Sequence, residues 1–181
     1  MEIDKSEFLR NYSATYESQS FLQRWLRKQD AHSLSSFVAG FSCCQLEYQS
    51  AFLATNDKPS GASLIPWEKN NPNESDLLII GGSLNFKLYP YILEMYASLM
   101  RPCWVVALGA CAIKGGPYHS AASYAVMPEI NSIIPVDVFI PGCPPHPETI
   151  KQGFELLRAR ILAGISAENK LAGEAGHAIS I

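Results

Sequence analysis

Four short apolar runs frame this chain, at residues 34–41, 76–81, 104–108 and 136–140. Each is too short for a buried helix, and each runs on into glycine, cysteine or proline, so each reads as a buried strand. A weaker run at 62–66 reads as a further strand. Between and after these runs lie helix-like stretches at 45–55, 90–100 and 146–163. Pro90 suits a first helical turn, and Ile150, Phe154, Leu157 and Ile161 share one helical face. Apolar strands alternating with helices predict an α/β domain on a mainly parallel sheet, covered by helices on both faces. In such sheets, ligands bind beyond the carboxyl ends of the strands.

The domain is expected over 34–163, with residues 1–33 as an N-terminal helical arm and 164–181 as a loose tail rich in Ala, Gly and Ser. In the arm, Phe8, Tyr12, Phe21, Leu22, Trp25 and Leu26 recur at helical spacing beside Arg24, Arg27 and Lys28. That edge suits a membrane interface or a partner's acidic face, and equally an ordinary amphipathic arm packed on its own domain. Seven of the twelve prolines fall between Pro117 and Pro147, which marks that stretch as turns and extended chain.

Composition excludes several classes. Lys+Arg number 14 against 17 Asp+Glu, a net charge of −3, which is no footprint of a nucleic-acid binder. Charged residues make up 17%, below the ~25% of typical domains, so part of the surface is expected to be covered by other chains. No run reaches the ~18 apolar residues of a membrane-spanning helix, and the acidic start is unlike a targeting peptide. The cysteines are therefore expected in a reducing compartment, where metal or catalytic use outweighs disulfide formation.

There are five cysteines: 43, 44, 103, 111 and 143. Cys103 begins an apolar run and should point into packing. Cys43, Cys44, Cys111 and Cys143 fall just past the ends of three different runs, on one expected sheet edge. Four converging thiolates suit a tetrahedral zinc or an iron–sulfur cluster. Zinc sites favour paired Cys-x₂₋₄-Cys knuckles, whereas here two cysteines are adjacent and the others lie far along the chain. Adjacent side chains reach two corners of a cubane more readily than one small ion. Four unrelated buried thiols remain the plain alternative.

These residues resemble a known family. The strings Cys-Cys-Gln-Leu-Glu (43–47), Gly-Ala-Cys-Ala (109–112) and Pro-Val-Asp-Val-Phe-Ile-Pro-Gly-Cys-Pro-Pro (135–145) are similar to the cluster-bearing small subunit of respiratory complex I, the NuoB/PSST type. The segment 82–90 resembles that family's stretch after its central strand, and the likeness runs from about residue 34 to 162. Small subunits of nickel–iron hydrogenases are more distant relatives. The resemblance implies a flavodoxin-like fold that binds neither flavin nor nucleotide. It implies one 4Fe–4S cluster on Cys43, Cys44, Cys111 and Cys143, the last in an electron-transfer chain. It implies quinone reduction at the interface with a larger hydrogenase-like subunit, as part of a proton-pumping NADH:quinone oxidoreductase, and no activity for the chain alone. A ferredoxin-like cluster subunit upstream, membrane subunits, and a peripheral place on the cytoplasmic face of a prokaryotic inner membrane follow from the same resemblance. The alternatives are the small subunit of a membrane-bound nickel–iron hydrogenase or related complex, and a non-redox assembly module of the same fold.

Some positions are weighed separately. Glu47, on the first turns of a helix after the tandem cysteines, is a candidate for redox-linked proton coupling. Its alternative is an acid favoured by the helix macrodipole. Tyr48 and Gln49 stand where the family commonly carries methionines lining the quinone region. The loop after Gly115-Gly116 and Tyr118-His119 diverges, lacking a usual Arg-Gly pair. His119 reads as a loop histidine at a partner interface or one hydrogen-bonded near the cluster, His146 as a helix-start residue, and Asp137 as a buried acid satisfying backbone donors or a partner arginine. Gly81-Gly82-Ser83 is a weak phosphate-cradle candidate, because no Gly-x-Gly-x-x-Gly or Walker pattern accompanies it.

Overall fold

The computed structural model describes residues 34–40, 42–53, 71–100, 102–119 and 124–162. The expected arm over 1–33, the tail over 164–181 and the strand at 62–66 lie outside the described residues. Four strands, β1 (Ser36–Gly40), β2 (Leu77–Gly81), β3 (Trp104–Leu108) and β4 (Val138–Ile140), form one parallel sheet in the order β1-β2-β3-β4. The α/β, mainly parallel reading holds. β2 and β3 are buried along their whole length, the signature of strands covered on both faces.

Side chains alternate across the pleat, so each strand feeds two cores. Leu77, Ile79, Val106 and Leu108 face one side, where they pack with helices α1 (Cys43–Leu53) and α4 (Pro147–Leu162). Leu78, Ile80, Val105 and Ala107 face the other, against α2 (Tyr89–Ser98), the short helix α3 (Gly109–Lys114) and the segment around Ile130–Val136. The predicted stripe Ile150, Phe154, Leu157 and Ile161 is the buried face of α4. α4 can press closely on the sheet because Gly153 has no side chain: a β-carbon there would meet Ile140 Cδ1 at 2.5 Å.

Element boundaries follow local chemistry. α1 begins two residues earlier than its apolar pattern, so the tandem cysteines lie in its first turn rather than before it. The fourth strand starts at Val138 rather than Val136. There Asp137 replaces a regular rung: its carboxylate accepts from Val105 N at 2.8 Å while its own N–H donates to Val105 O at 2.8 Å. Asp137 is thus a buried acid serving a backbone donor, as expected, and Arg160 of α4 donates to its carbonyl oxygen. His146 opens α4, accepting from Ile150 N on its carbonyl and from Glu148 N on its ring Nδ1 at 3.3 Å.

Candidate metal centre

The sheet register decides the site. Gly40 is level with Gly81, Gly81 with Leu108, and Leu108 with Ile140, so all four strands end in one row. Cys43, Cys111 and Cys143 are each the third residue beyond that row, and Cys44 follows Cys43 on α1. Parallel strands that stop level send their following loops off the same edge, which brings residues distant in sequence together. Cys103, by contrast, immediately precedes β3 at the opposite end of the sheet and is buried in the second core, where packing was expected.

The two buried thiols each sense neighbouring thiols. Burial, reinforced by the Cys43 and Cys111 sulfurs, pushes Cys44 up to about 11, against a hydrogen bond from the Gly82 backbone N–H that works the other way. Burial, then Cys143 and Cys43, also raises Cys111. Cys111 therefore links the tandem pair to Cys143. Cys44 and Cys111 are buried, whereas Cys43 and Cys143 are exposed. Two of the four thiols thus form an inner pair and two an outer, exposed pair.

Glycines shape the inner wall. A β-carbon on Gly109 would overlap the Cys44 sulfur, and one on Gly116 would stand 2.6 Å from the Cys111 sulfur. Gly109 also has φ of +85°, a region that L side chains rarely adopt. The N–H of Ala110 donates to Gly142 O at 2.8 Å, which ties the Cys111 helix to the Cys143 loop.

This donor set fits a polynuclear thiolate-bound cluster. The four candidate donors are soft and of one kind. Among the described residues, no group of three or more His, Cys, Asp or Glu side chains gathers tightly enough for a single metal ion.

The remaining candidates separate. Glu47 lies on α1 three residues beyond Cys44, half-buried, at the same edge. Tyr48 does not: it is buried in the core against Phe154, with ring centroids 6.1 Å apart. Burial holds its phenol above the usual range, with the Ser36 side chain beside it. Tyr48, which stands where the family commonly carries a methionine lining the quinone region, is thus turned into the core, because the α1 face that buries Cys44 also buries the residue four positions on. His119 and Tyr118 are exposed beside α3. Gly82, weighed as part of a phosphate cradle, is buried just past β2, where its backbone N–H works against the burial that raises the Cys44 thiol. Sequence reasoning missed that neighbourhood, and the glycine doublet after β2 was the signal that could have found it.

The family profile of the NADH–ubiquinone oxidoreductase 20 kDa subunit matches residues 30–157. The chain belongs to that family. It is 40% identical over 139 residues to the NADH-quinone oxidoreductase B-subunit of Heliobacterium modesticaldum, covering 76% of this chain and 74% of that relative. The corresponding protein of Myxococcus xanthus is 39% identical, covering 76% of this chain and 69% of the relative. Among solved structures, a chain of the membrane-bound sulfane sulfur reductase, an archaeal respiratory membrane complex, superposes with a TM-score of 0.61 at 29% identity, covering 79% of this chain and 76% of its own. A chain of an NAD+-reducing nickel–iron hydrogenase shares the fold, with a TM-score of 0.50 at 19% identity over 75% of this chain and 94% of its own. The complex I resemblance, and with it the reading as a subunit of an oxidoreductase complex, therefore holds. No helix among the described residues is long and apolar enough to cross a membrane.

Proposed function

We propose that this chain holds a single 4Fe–4S cluster on Cys43, Cys44, Cys111 and Cys143 and passes electrons from it to quinone. The observation that carries this reading is the level row of strand ends, which places four thiols at one sheet edge. When bound, the cluster supplies one-electron transfer. The chain supplies four ligands, two glycine-lined close approaches and burial of the inner thiols. The exposed rim of Cys43 and Cys143 faces outward, where a larger hydrogenase-like subunit would complete a quinone site. A ferredoxin-like subunit would deliver electrons from NADH. Membrane subunits would pump protons, with this chain peripheral on the cytoplasmic face. Glu47, at the same edge, is proposed to couple a proton to cluster reduction. A Glu47→Gln complex whose midpoint potential keeps the parent's pH slope would remove that role.

A second reading differs in the acceptor. The likeness to a sulfane sulfur reductase chain keeps open a membrane complex of related build whose acceptor is not quinone.

The test is low-temperature EPR of the anaerobically purified, dithionite-reduced complex, with iron and acid-labile sulfide counted on the same sample. A cluster signal that is reoxidised by added quinone, and protected by a quinone-site inhibitor, supports the first reading. A cluster that quinone leaves reduced supports the second. A folded chain with no sulfide leaves the assembly module.

A further inference from the structure

Only two residues separate the end of β1 at Gly40 from the start of α1 at Cys43. The second of them, Ser42, has φ of +66°, a left-handed conformation that residues other than glycine seldom adopt. Ser42 is exposed, so burial of its own side chain does not hold it there. Gln45 grips the corner from both sides. Its N–H donates to Ser42 O at 3.2 Å. Its side chain folds back onto the strand tip, where a β-carbon on Gly40 would overlap Gln45 Oε1 and stand 2.9 Å from Gln45 Cβ. Gly40 is level with Gly81 in the row of strand ends, so the grip is anchored to the sheet. Gln45 Oε1 is enclosed and has no hydrogen-bond partner among the described residues. A buried acceptor without a donor costs stability, so the hold is one of shape and not of hydrogen bonding by that oxygen.

We propose that Gln45 is a positioning residue for the redox centre: lying on Gly40 while it holds Ser42, it fixes the left-handed corner that delivers Cys43 and Cys44 to one cluster. The inference rests on the cluster reading given above. Neighbouring residues on a helix project about 100° apart, so the tandem cysteines reach two corners of a cluster only when the end of α1 is aimed at it. That aim is set at the corner. Cys44 has a second restraint, since its sulfur fills the space beside Gly109. Cys43, exposed and directly after Ser42, depends on the corner. Without the grip, Ser42 relaxes out of the left-handed region and the first turn of α1 loosens. Cys43 is then the ligand that is lost, while Cys44 stays.

The test uses the intact complex, purified without oxygen. EPR of the reduced cluster, an iron count and iodoacetamide labelling mapped by mass spectrometry are taken on the same sample. In the parent, all four candidate ligands should resist labelling. Gln45→Ala should cut the cluster signal severalfold and make Cys43 the labelled thiol, with Cys44 protected. Two changes should restore the parent's signal and protection. One is Gln45→Met, which keeps a side chain of similar length without the unpartnered oxygen, and which should melt no lower than the parent. The other is Ser42→Gly added to Gln45→Ala, because glycine takes the left-handed conformation at little cost. A parental signal with Cys43 protected in Gln45→Ala overturns the proposal. So does a loss that Gln45→Met shares, or labelling that falls on Cys44 first. If Gln45→Ala fails to assemble, the double variant decides: recovery of a cluster-bearing complex supports the grip, and the same failure overturns it. Absence of any cluster signal in the parent complex would instead sink the cluster reading itself.

Discussion

The sulfur of Cys44 occupies the space that a β-carbon on Gly109 would fill. The two residues are far apart in sequence, one on the first turn of α1 and the other at the tip of β3. Their contact makes a glycine necessary on two counts, steric and conformational, since Gly109 also has φ of +85°.

Gly109→Ala is accordingly expected to displace Cys44 and to add backbone strain of roughly 1–2 kcal/mol. The purified complex should carry severalfold less iron in this subunit. Gly153→Ala is the contrasting variant. It crowds the Ile140 side chain at the α4–sheet contact and should cost about 1–3 kcal/mol through overpacking. Its melting temperature should fall while its iron content per assembled subunit stays at the parent's value.

Serine at Cys43, Cys44, Cys111 or Cys143 should abolish or greatly alter the reduced-cluster EPR signal. Cys103→Ser should leave that signal unchanged, because Cys103 lies at the far end of β3. Burying a hydroxyl in an apolar core still costs about 1–3 kcal/mol, so this variant should melt earlier. A normal signal in Cys143→Ser would falsify the ligand assignment.

The cluster-free chain should have a distinctive pH response. The Cys44 thiol rises from an ordinary 9.0 to about 11, mainly through burial, and Cys111 also rises. A raised pKa means that the folded state favours the protonated thiol. The resulting stabilisation is complete below about 9 and is lost as pH climbs toward about 11. Denaturant titrations of the cluster-free chain should show stability falling across that window. Alkylation should find Cys43 and Cys143 reactive first, and Cys44 slow until alkaline pH. Ligation requires thiolates, so reconstitution with iron and sulfide should release protons and speed up as pH rises.

Asp137→Ala should remove the acceptor for the Val105 N–H and leave that buried amide without its partner. A cost of about 1–3 kcal/mol is expected. The lesion sits where β4 begins, so it should loosen the strand that carries the Cys143 loop. The yield of assembled subunit and its melting temperature should both drop. Asp137→Asn, which keeps an acceptor oxygen, should recover most of the loss.

Much of this was legible in the chain. The runs at 76–81 and 104–108 became β2 and β3 almost unchanged, because uninterrupted apolar stretches of that length have few alternatives to a strand buried on both faces. The stripe on α4 was equally direct. Asp137 was placed correctly by its charge within an apolar run, since a buried carboxylate must find donors. Less was legible at α1. Its hydrophobic pattern begins after the cysteines, yet the helix begins with them, because residues at the open sheet edge need not follow the apolar period. The burial of Tyr48 was not legible for a related reason: one position in a motif does not reveal which helix face meets the sheet.

By itself, the sequence determined the strands, the parallel α/β class, the four cysteines and the side of the sheet they would share. Those properties are set by local apolar runs, and by the rule that parallel strands release their loops at a common edge. The tertiary structure decided the level row of strand ends, the fit of Cys44 against Gly109 and the burial of Tyr48 against Phe154. Each depends on the register of one strand against another or on the packing of a helix across the sheet. Such contacts join residues far apart in the chain, so no local pattern encodes them.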